Sequence, residues 1–203
     1  MTLGLTGSIG MGKSEAARMF RRLGVPVFDS DATVHRLLGP GGAAVAAVEA
    51  AFPGVVKDGA VDRKALGAAV FGKPDDLRRL EAILHPMVRA ARATFMRRAQ
   101  ARRDRLVVFD VPLLFETGGE RDCDAVMVVS APAFVQRARV LARPGMTPEK
   151  FAAILDQQVP DAEKRRRADF VAPTGMGKRV TLNAIRQAIT MLIGNQEEPP
   201  CPT

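Results

Sequence analysis

The sequence predicts an α/β fold, a parallel five-stranded sheet flanked by helices, and three observations predict it. Short apolar runs alternate along the chain with stretches of helical periodicity, the pattern of strands joined by crossover helices. The octapeptide GSIGMGKS, Gly7 to Ser14, stands between the first apolar run and the first helical one. Between the second and third apolar runs, Ala32 to Asp104 reads mainly as helix and is longer than one crossover requires.

The first strand is TLGLT, Thr2–Thr6, and the helix behind Lys13 repeats Ala16, Ala17, Met19, Phe20 and Leu23 at helical spacing. Val25–Asp29 is the second strand. The long stretch then holds three helical segments, Val45–Phe52, Asp62–Phe71 and Asp75–Leu84, followed by a basic helix over Arg89–Arg105. It predicts an inserted helical subdomain that binds a phosphate acceptor, with GPGG at Gly39–Gly42 as its first hinge. Leu106–Asp110, Ala125–Val129 and Asp169–Val171 complete the strands. Helices follow Pro132 and Pro148 and begin again near Lys178. Pro148 after Thr147 is a start signal, since proline suits the first turn and threonine can cap it. The tail from Asn195, with EEPPCPT, is expected to be disordered.

Gly7–Ser14 fits G-x-x-x-x-G-K-[ST]. Its glycines let the backbone of Gly7, Ser8, Ile9, Gly10, Met11 and Gly12 curl so that successive N–H groups face one anion. The helix that follows adds the positive end of its dipole. Lys13 reaches the β- and γ-phosphates of a nucleoside triphosphate, and the Ser14 hydroxyl ligates Mg²⁺.

The 203 residues carry a formal charge of +8, with 47% hydrophobic and 26% charged residues. That composition is ordinary for a globular protein, and no apolar run approaches the roughly 20 residues of a membrane span. TLGLTGSIG opens the chain without a charged-then-apolar leader, and the two cysteines, Cys123 and Cys201, lie far apart. The expectation is a reducing compartment, the cytoplasm. The positive charge favours anionic partners, which polyphosphates satisfy as well as nucleic acid does. In Arg89–Arg105 the apolar residues Val88, Ala91, Phe95 and Ala99 occupy one face. With no Trp or Tyr to interleave, the arginines read as a solvated face and not as a nucleic-acid surface.

Three further clusters point to phosphoryl transfer. VFDSD places Asp29 and Asp31 at the carboxyl edge of the sheet, where open α/β sheets bind ligands. Alternation in an extended segment would point both carboxylates the same way. One could take a proton from an acceptor hydroxyl and either could orient Mg²⁺, while a cap on the next helix is the other use for such an aspartate. LVVFD ends a buried strand in Asp110, an acid suited to the metal's hydration shell. QRARVLARPG presents Gln136, Arg137, Arg139 and Arg143. Arg139 and Arg143 share a helix face, and guanidinium groups stabilise charge on a moving phosphoryl group. KRRR at Lys164–Arg167 reads as solvated. His85 precedes Pro86 in LEAILHPMV, where proline is expected to break the helical register.

GLTGSIGMGKS, VFDSD, GAVDRKALGAAVF, LEAILHP, DVPLLFE and the Gln136–Arg143 run occur in an order that resembles the dephospho-CoA kinase family, over nearly the whole chain before the tail. The resemblance implies the P-loop kinase fold, with residues 1–194 as one kinase domain. About 32–104 would be the CoA-binding insertion and about 115–147 the lid. It implies transfer of the γ-phosphoryl group of ATP to the ribose 3′-hydroxyl of dephospho-CoA with Mg²⁺, the partners being ATP and dephospho-CoA. Asp31 would be the catalytic base and Asp29 a group near the metal. His85 and Pro86 would belong to the acceptor site, and Arg137 and Arg143 would approach the phosphates. Many members carry an asparagine-containing turn after the last strand. This chain departs from that pattern with APTGMG, at the place of the adenine-side contacts, Thr174–Gly177; Thr174 and Gly175 stand among the ATP-binding candidates. A kinase of another small-molecule or nucleotide acceptor is the alternative. A nucleotide-operated switch would want a base-specifying N-K-x-D motif, which the sequence lacks.

Overall fold

The computed structural model describes residues 1–194, so the tail expected to be disordered lies outside the described residues. In chain order the elements begin with β1 (Thr2–Thr6), α1 (Lys13–Arg22), β2 (Val27–Asp29), α2 (Ser30–Leu38), α3 (Val45–Ala51), β3 (Val56–Lys57), β4 (Ala60–Val61) and α4 (Arg63–Val70). They continue with α5 (Pro74–Ala101), β5 (Val107–Asp110), β6 (Ala125–Ser130), α6 (Ala133–Leu141), α7 (Pro148–Asp156), α8 (Asp161–Arg167), β7 (Phe170–Pro173) and α9 (Lys178–Gly194). Two compact units divide them: Met1–Phe28 with the residues from Arg102 onward, and Asp29–Ala101. The division falls at the end of β2, ten residues before the expected hinge at Gly39–Gly42.

The first unit is built on a five-stranded parallel sheet in the order β2-β5-β1-β6-β7. Side chains alternate across it, so register decides which chemistry each face receives. Leu3 lies opposite Val108 and Leu5 opposite Asp110, which sets Asp110 on the Leu3–Leu5 face. That face packs on α1 and α9: Leu3, Leu5, Val108, Met127, Val129 and Ala172 close a core with Ala16, Phe20, Ile185 and Ala188, all essentially inaccessible. Burying each large side chain contributes about 1.5–3 kcal/mol. On the opposite face Val126 and Val128 pack with Leu114 and Phe115, and Val159 and Ala168 flank them. The stretch 115–147 therefore includes β6, a sheet strand buried at every position, together with α6.

The second unit has its own core, in which Leu38, Val48, Phe52, Val55, Val61, Leu66 and Leu80 come together from α2, α3, the short hairpin, α4 and α5. β3 and β4 pair antiparallel around Asp58 and Gly59, whose φ values of 49° and 74° are those of a tight Asp-Gly hairpin turn. Pro86 does not break the helix: α5 runs unbroken from Pro74 to Ala101. Ile83 and Leu84 before the proline and Met87 after it all pack against the core, while Pro86 itself is exposed, so packing on both flanks outweighs the lost hydrogen bond.

Asp62 caps α4, accepting from the Lys64 and Ala65 N–H groups at 2.9 and 3.1 Å, and pairs with Lys57 at 2.9 Å. The Lys57 ammonium, then the two amides, pull its carboxyl from 3.8 down to about 2. A depressed acid stabilises the fold above its unfolded value and loses that contribution as pH falls through the folded one. Stability is therefore expected to drop between about pH 4 and pH 2 more steeply in the native chain than in Asp62→Asn, measured by urea melts across that window.

Candidate active site

The phosphate loop is held from below by close packing. A Cβ on Gly7 would stand 2.4 Å from Val129 Cγ2, and one on Gly10, where φ is 77°, 2.4 Å from Val140 Cγ2. Gly12 begins α1 with φ 91°, a left-handed conformation that glycine adopts without strain, and its Cα faces the Thr174 side chain. Met11 is buried and its thioether accepts from the Ala131 N–H at 3.1 Å, while Ser8 is buried beside it. Gly7 and Gly10 are thus glycines because β6 and α6 leave no room for a side chain.

Lys13 opens α1, and its Nζ lies 2.5 Å from Asp110 Oδ1 at the end of β5. The Lys13 side chain is 17% exposed and that of Asp110 4%, so the pair is largely withdrawn from water. Ser14, next along α1, is exposed. Lys13 and Ser14 open α1 just after β1 and Asp110 closes the parallel neighbour β5, so all three stand at one end of the sheet. In the same unit, Thr6 donates its hydroxyl to the Pro112 carbonyl at 3.0 Å, fastening the start of the loop after β5.

Thr174 and Gly175 follow β7. The Thr174 hydroxyl lies 2.6 Å from the Met11 carbonyl, and Arg139 donates to the Thr174 carbonyl at 2.7 Å and, at a looser 3.4 Å, to the Gly10 carbonyl. Arg139 therefore ties the phosphate loop to the turn beyond the last strand, a role that helical spacing alone does not disclose. Arg143 does not share its helix face, because α6 ends at Leu141. Arg137 and Arg143 make no side-chain hydrogen bond or ion pair among the described residues.

Two glutamines converge on Ile9. Gln136, buried in the first turn of α6, donates through Nε2 to the Ile9 carbonyl at 2.8 Å. Gln158, just past the end of α7, accepts the Ile9 N–H through Oε1 at 3.0 Å. Sequence reasoning placed Gln136 in the arginine-rich run without a use for it and missed Gln158.

The basic cluster at Lys164–Arg167 is not uniformly solvated. Lys164 is fully buried, with Nζ 2.7 Å from Glu116 Oε1, at ion-pair distance but without a well-directed hydrogen bond. Glu116 Oε1 also accepts the Val159 N–H at 2.9 Å. Arg167 pairs with Glu120 at 2.5 Å and lies over the Phe115 ring, 4.4 Å from its centre. The acid of DVPLLFE is thereby bound to α8. Removing one member of a buried pair strands the other charge at a cost of about 3–5 kcal/mol. Lys164→Met is expected to lose stability on that scale in denaturant melts, and Lys164→Met with Glu116→Gln to recover much of it.

In the second unit Asp29 and Asp31 do not alternate on one extended segment, because α2 starts at Ser30. Asp29 is its cap, accepting the Ala32 N–H at 2.8 Å, and Asp31 lies in its first turn. Asp31 is exposed and its carboxylate makes no hydrogen bond or ion pair among the described residues. His85 and Pro86 are exposed on α5, and His35 Nδ1 lies 3.2 Å from the Arg63 guanidinium.

A family model described as dephospho-CoA kinase matches residues 1–175. The dephospho-CoA kinase of Paramagnetospirillum magneticum is 64% identical over 198 residues, covering 98% of this chain and 93% of that protein. A crystal structure of a Thermus thermophilus protein superimposes with a TM-score of 0.83 at 36% identity, covering 94% of this chain and 96% of that one. The dephospho-CoA kinase of Campylobacter jejuni, at 24% identity, shares the fold with a TM-score of 0.70 over 96% and 98% of the two chains. With a phosphate loop at the end of β1, an acid at the end of β5 and a helical unit leaving from β2, the chain belongs to the dephospho-CoA kinase family.

Proposed function

We propose that the chain uses the phosphate loop, Asp110 and Asp31 to carry the family's reaction, moving the γ-phosphoryl group of ATP to the ribose 3′-hydroxyl of dephospho-CoA to give coenzyme A and ADP. The observation that carries this assignment of roles is the largely buried Lys13–Asp110 pair at the mouth of the loop. It keeps an ammonium and a carboxylate at the sheet edge where a triphosphate and its counter-ion belong. The loop amides from Gly7 to Gly12 with the start of α1 bind the β-phosphate, and Lys13 draws charge from the γ-phosphate.

Mg²⁺ fits the donors present. Ser14 offers a hydroxyl and Asp110 a carboxylate, both hard oxygen donors, and no cluster of three or more His, Cys, Asp or Glu side chains occurs among the described residues. An ion held so sparsely takes its other ligands from phosphate and water, the usual habit of Mg²⁺. Ser14 and Asp110 would hold it, with Asp29 near it, and it would neutralise charge on the transferred group.

Asp31 accepts the 3′-hydroxyl proton as the oxygen bonds to the γ-phosphorus and the bond to the β-phosphate oxygen breaks, leaving ADP. An exposed carboxylate without a partner is available for that proton. Arg137 and Arg143, equally uncommitted, stabilise the phosphoryl oxygens. Thr174 and Gly175 border the adenine end, and His85 and Pro86 serve the acceptor. No helix among the described residues is long and apolar enough to cross a membrane, and action in the cytoplasm is part of the same proposal.

The test is incubation with Mg-ATP and a panel of hydroxyl acceptors, dephospho-CoA among them, with products read by mass spectrometry. One phosphoryl group on dephospho-CoA alone is expected. Transfer to another acceptor in preference would reassign the substrate.

A further inference from the structure

We propose that Gln136 and Gln158 are positioning residues for phosphoryl transfer, clamping the backbone of Ile9 from the two feet of the α6–α7 hairpin. Ile9 lies inside the phosphate loop, between Ser8 and Gly10, and both of its backbone polar groups are taken by side chains. The donor comes from the first turn of α6 and the acceptor from the residues that follow α7. The segment between these feet carries Arg137, Arg139 and Arg143. The two peptide groups on either side of the Ile9 Cα therefore register the loop that grips the triphosphate against the hairpin that carries the arginines.

The clamp has a rigid base. Val159, adjacent to Gln158, donates its N–H to Glu116, and the buried Lys164 fixes that carboxylate. At the other foot Gln136 is buried and its own N–H is bonded to the Pro132 carbonyl at 3.0 Å. Neither glutamine is therefore free to follow Ile9 if the loop shifts. Holding a loop within a fraction of an ångström is what a reaction made of positioning and electrostatics demands.

The polarity of the two contacts makes the idea testable. Glutamate is nearly isosteric with glutamine but only accepts hydrogen bonds when ionised. Gln158→Glu keeps the acceptor that the Ile9 N–H needs, whereas Gln136→Glu sets a carboxylate against the Ile9 carbonyl. Both place the same new charge beside the same residue, Ile9, so their comparison separates hydrogen-bond polarity from simple repulsion of the triphosphate.

The inference rests on the phosphotransfer assignment, and Mg-ATP affinity by titration calorimetry tests it independently of turnover. The wild-type chain with dephospho-CoA tests the assignment itself in a parallel assay. Gln136→Glu is expected to weaken Mg-ATP binding and kcat/KM for ATP at least tenfold more than Gln158→Glu does. Gln136→Met and Gln158→Met are each expected to lose about tenfold in the same quantities, as for one lost hydrogen bond. KM for dephospho-CoA is expected to stay within about twofold throughout. Equal losses in the two glutamate variants, silent methionine variants, or a fall in unfolding temperature with nucleotide affinity intact would each overturn the proposal.

Discussion

Lys13→Ala is expected to lower turnover by roughly three orders of magnitude while the protein stays folded. In the proposed role Lys13 supplies a full charge to oxygens that gain charge as the phosphoryl group moves, and such preorganised electrostatics is usually the largest single contribution to catalysis. The structural cost falls on Asp110, whose side chain is 4% exposed and loses its ammonium partner. A loss of about 3–5 kcal/mol in unfolding free energy is expected, the scale for stranding one member of a buried pair. Turnover with dephospho-CoA, Mg-ATP affinity and far-ultraviolet dichroism on the same preparation separate these effects. Turnover within tenfold of wild type would remove Lys13 from the mechanism.

The second large effect is expected at Asp31. Asp31→Asn keeps the shape of the side chain and removes its basicity, so kcat should fall by about 10²–10⁴, the range for loss of a general base. KM for dephospho-CoA should stay within about threefold. Thermal unfolding should hardly move: Asp31 is exposed, and as an acid in the first turn of α2 it contributes about 0.3–1 kcal/mol at most through the helix dipole. Equal losses in kcat and acceptor affinity would instead make Asp31 a residue that orients the acceptor.

The five strands were legible because each is a short apolar run closed by a polar or glycine-bearing turn, and their limits shift by only one or two residues in the structure. The phosphate loop was legible because its demands are steric. Gly7 and Gly10 sit where β6 and α6 admit no side chain, and a steric demand leaves a residue-type signature. The Asp29–Asp31 geometry was misread because alternation holds only while the backbone stays extended. The Asp29 carboxylate itself ends that, by capping the helix that begins at Ser30. Pro86 misled for a related reason: a local rule about one missing N–H was overruled by apolar contacts on both sides of it. The Asp-Gly hairpin at Asp58–Gly59 carried a sequence signal that went unused, overshadowed by the helical segments around it. Gln136 and Gln158 left no such trace. Their partner is a main-chain group more than a hundred residues away, and a peptide unit looks the same whatever its side chain. Lys164 was hidden inside a run of like charges, of which a short helix turned just one inward.

The burial of Lys164 against Glu116 also bears on how these positions change over evolutionary time. Neither can drift alone without leaving an ion stranded in the interior, yet both could give way together to apolar side chains of similar volume at little energetic cost. Divergence at 116 and 164 is thus expected to be correlated: homologues should hold the acid and the base together or lack both, and a lineage bearing only one should show a compensating charge nearby.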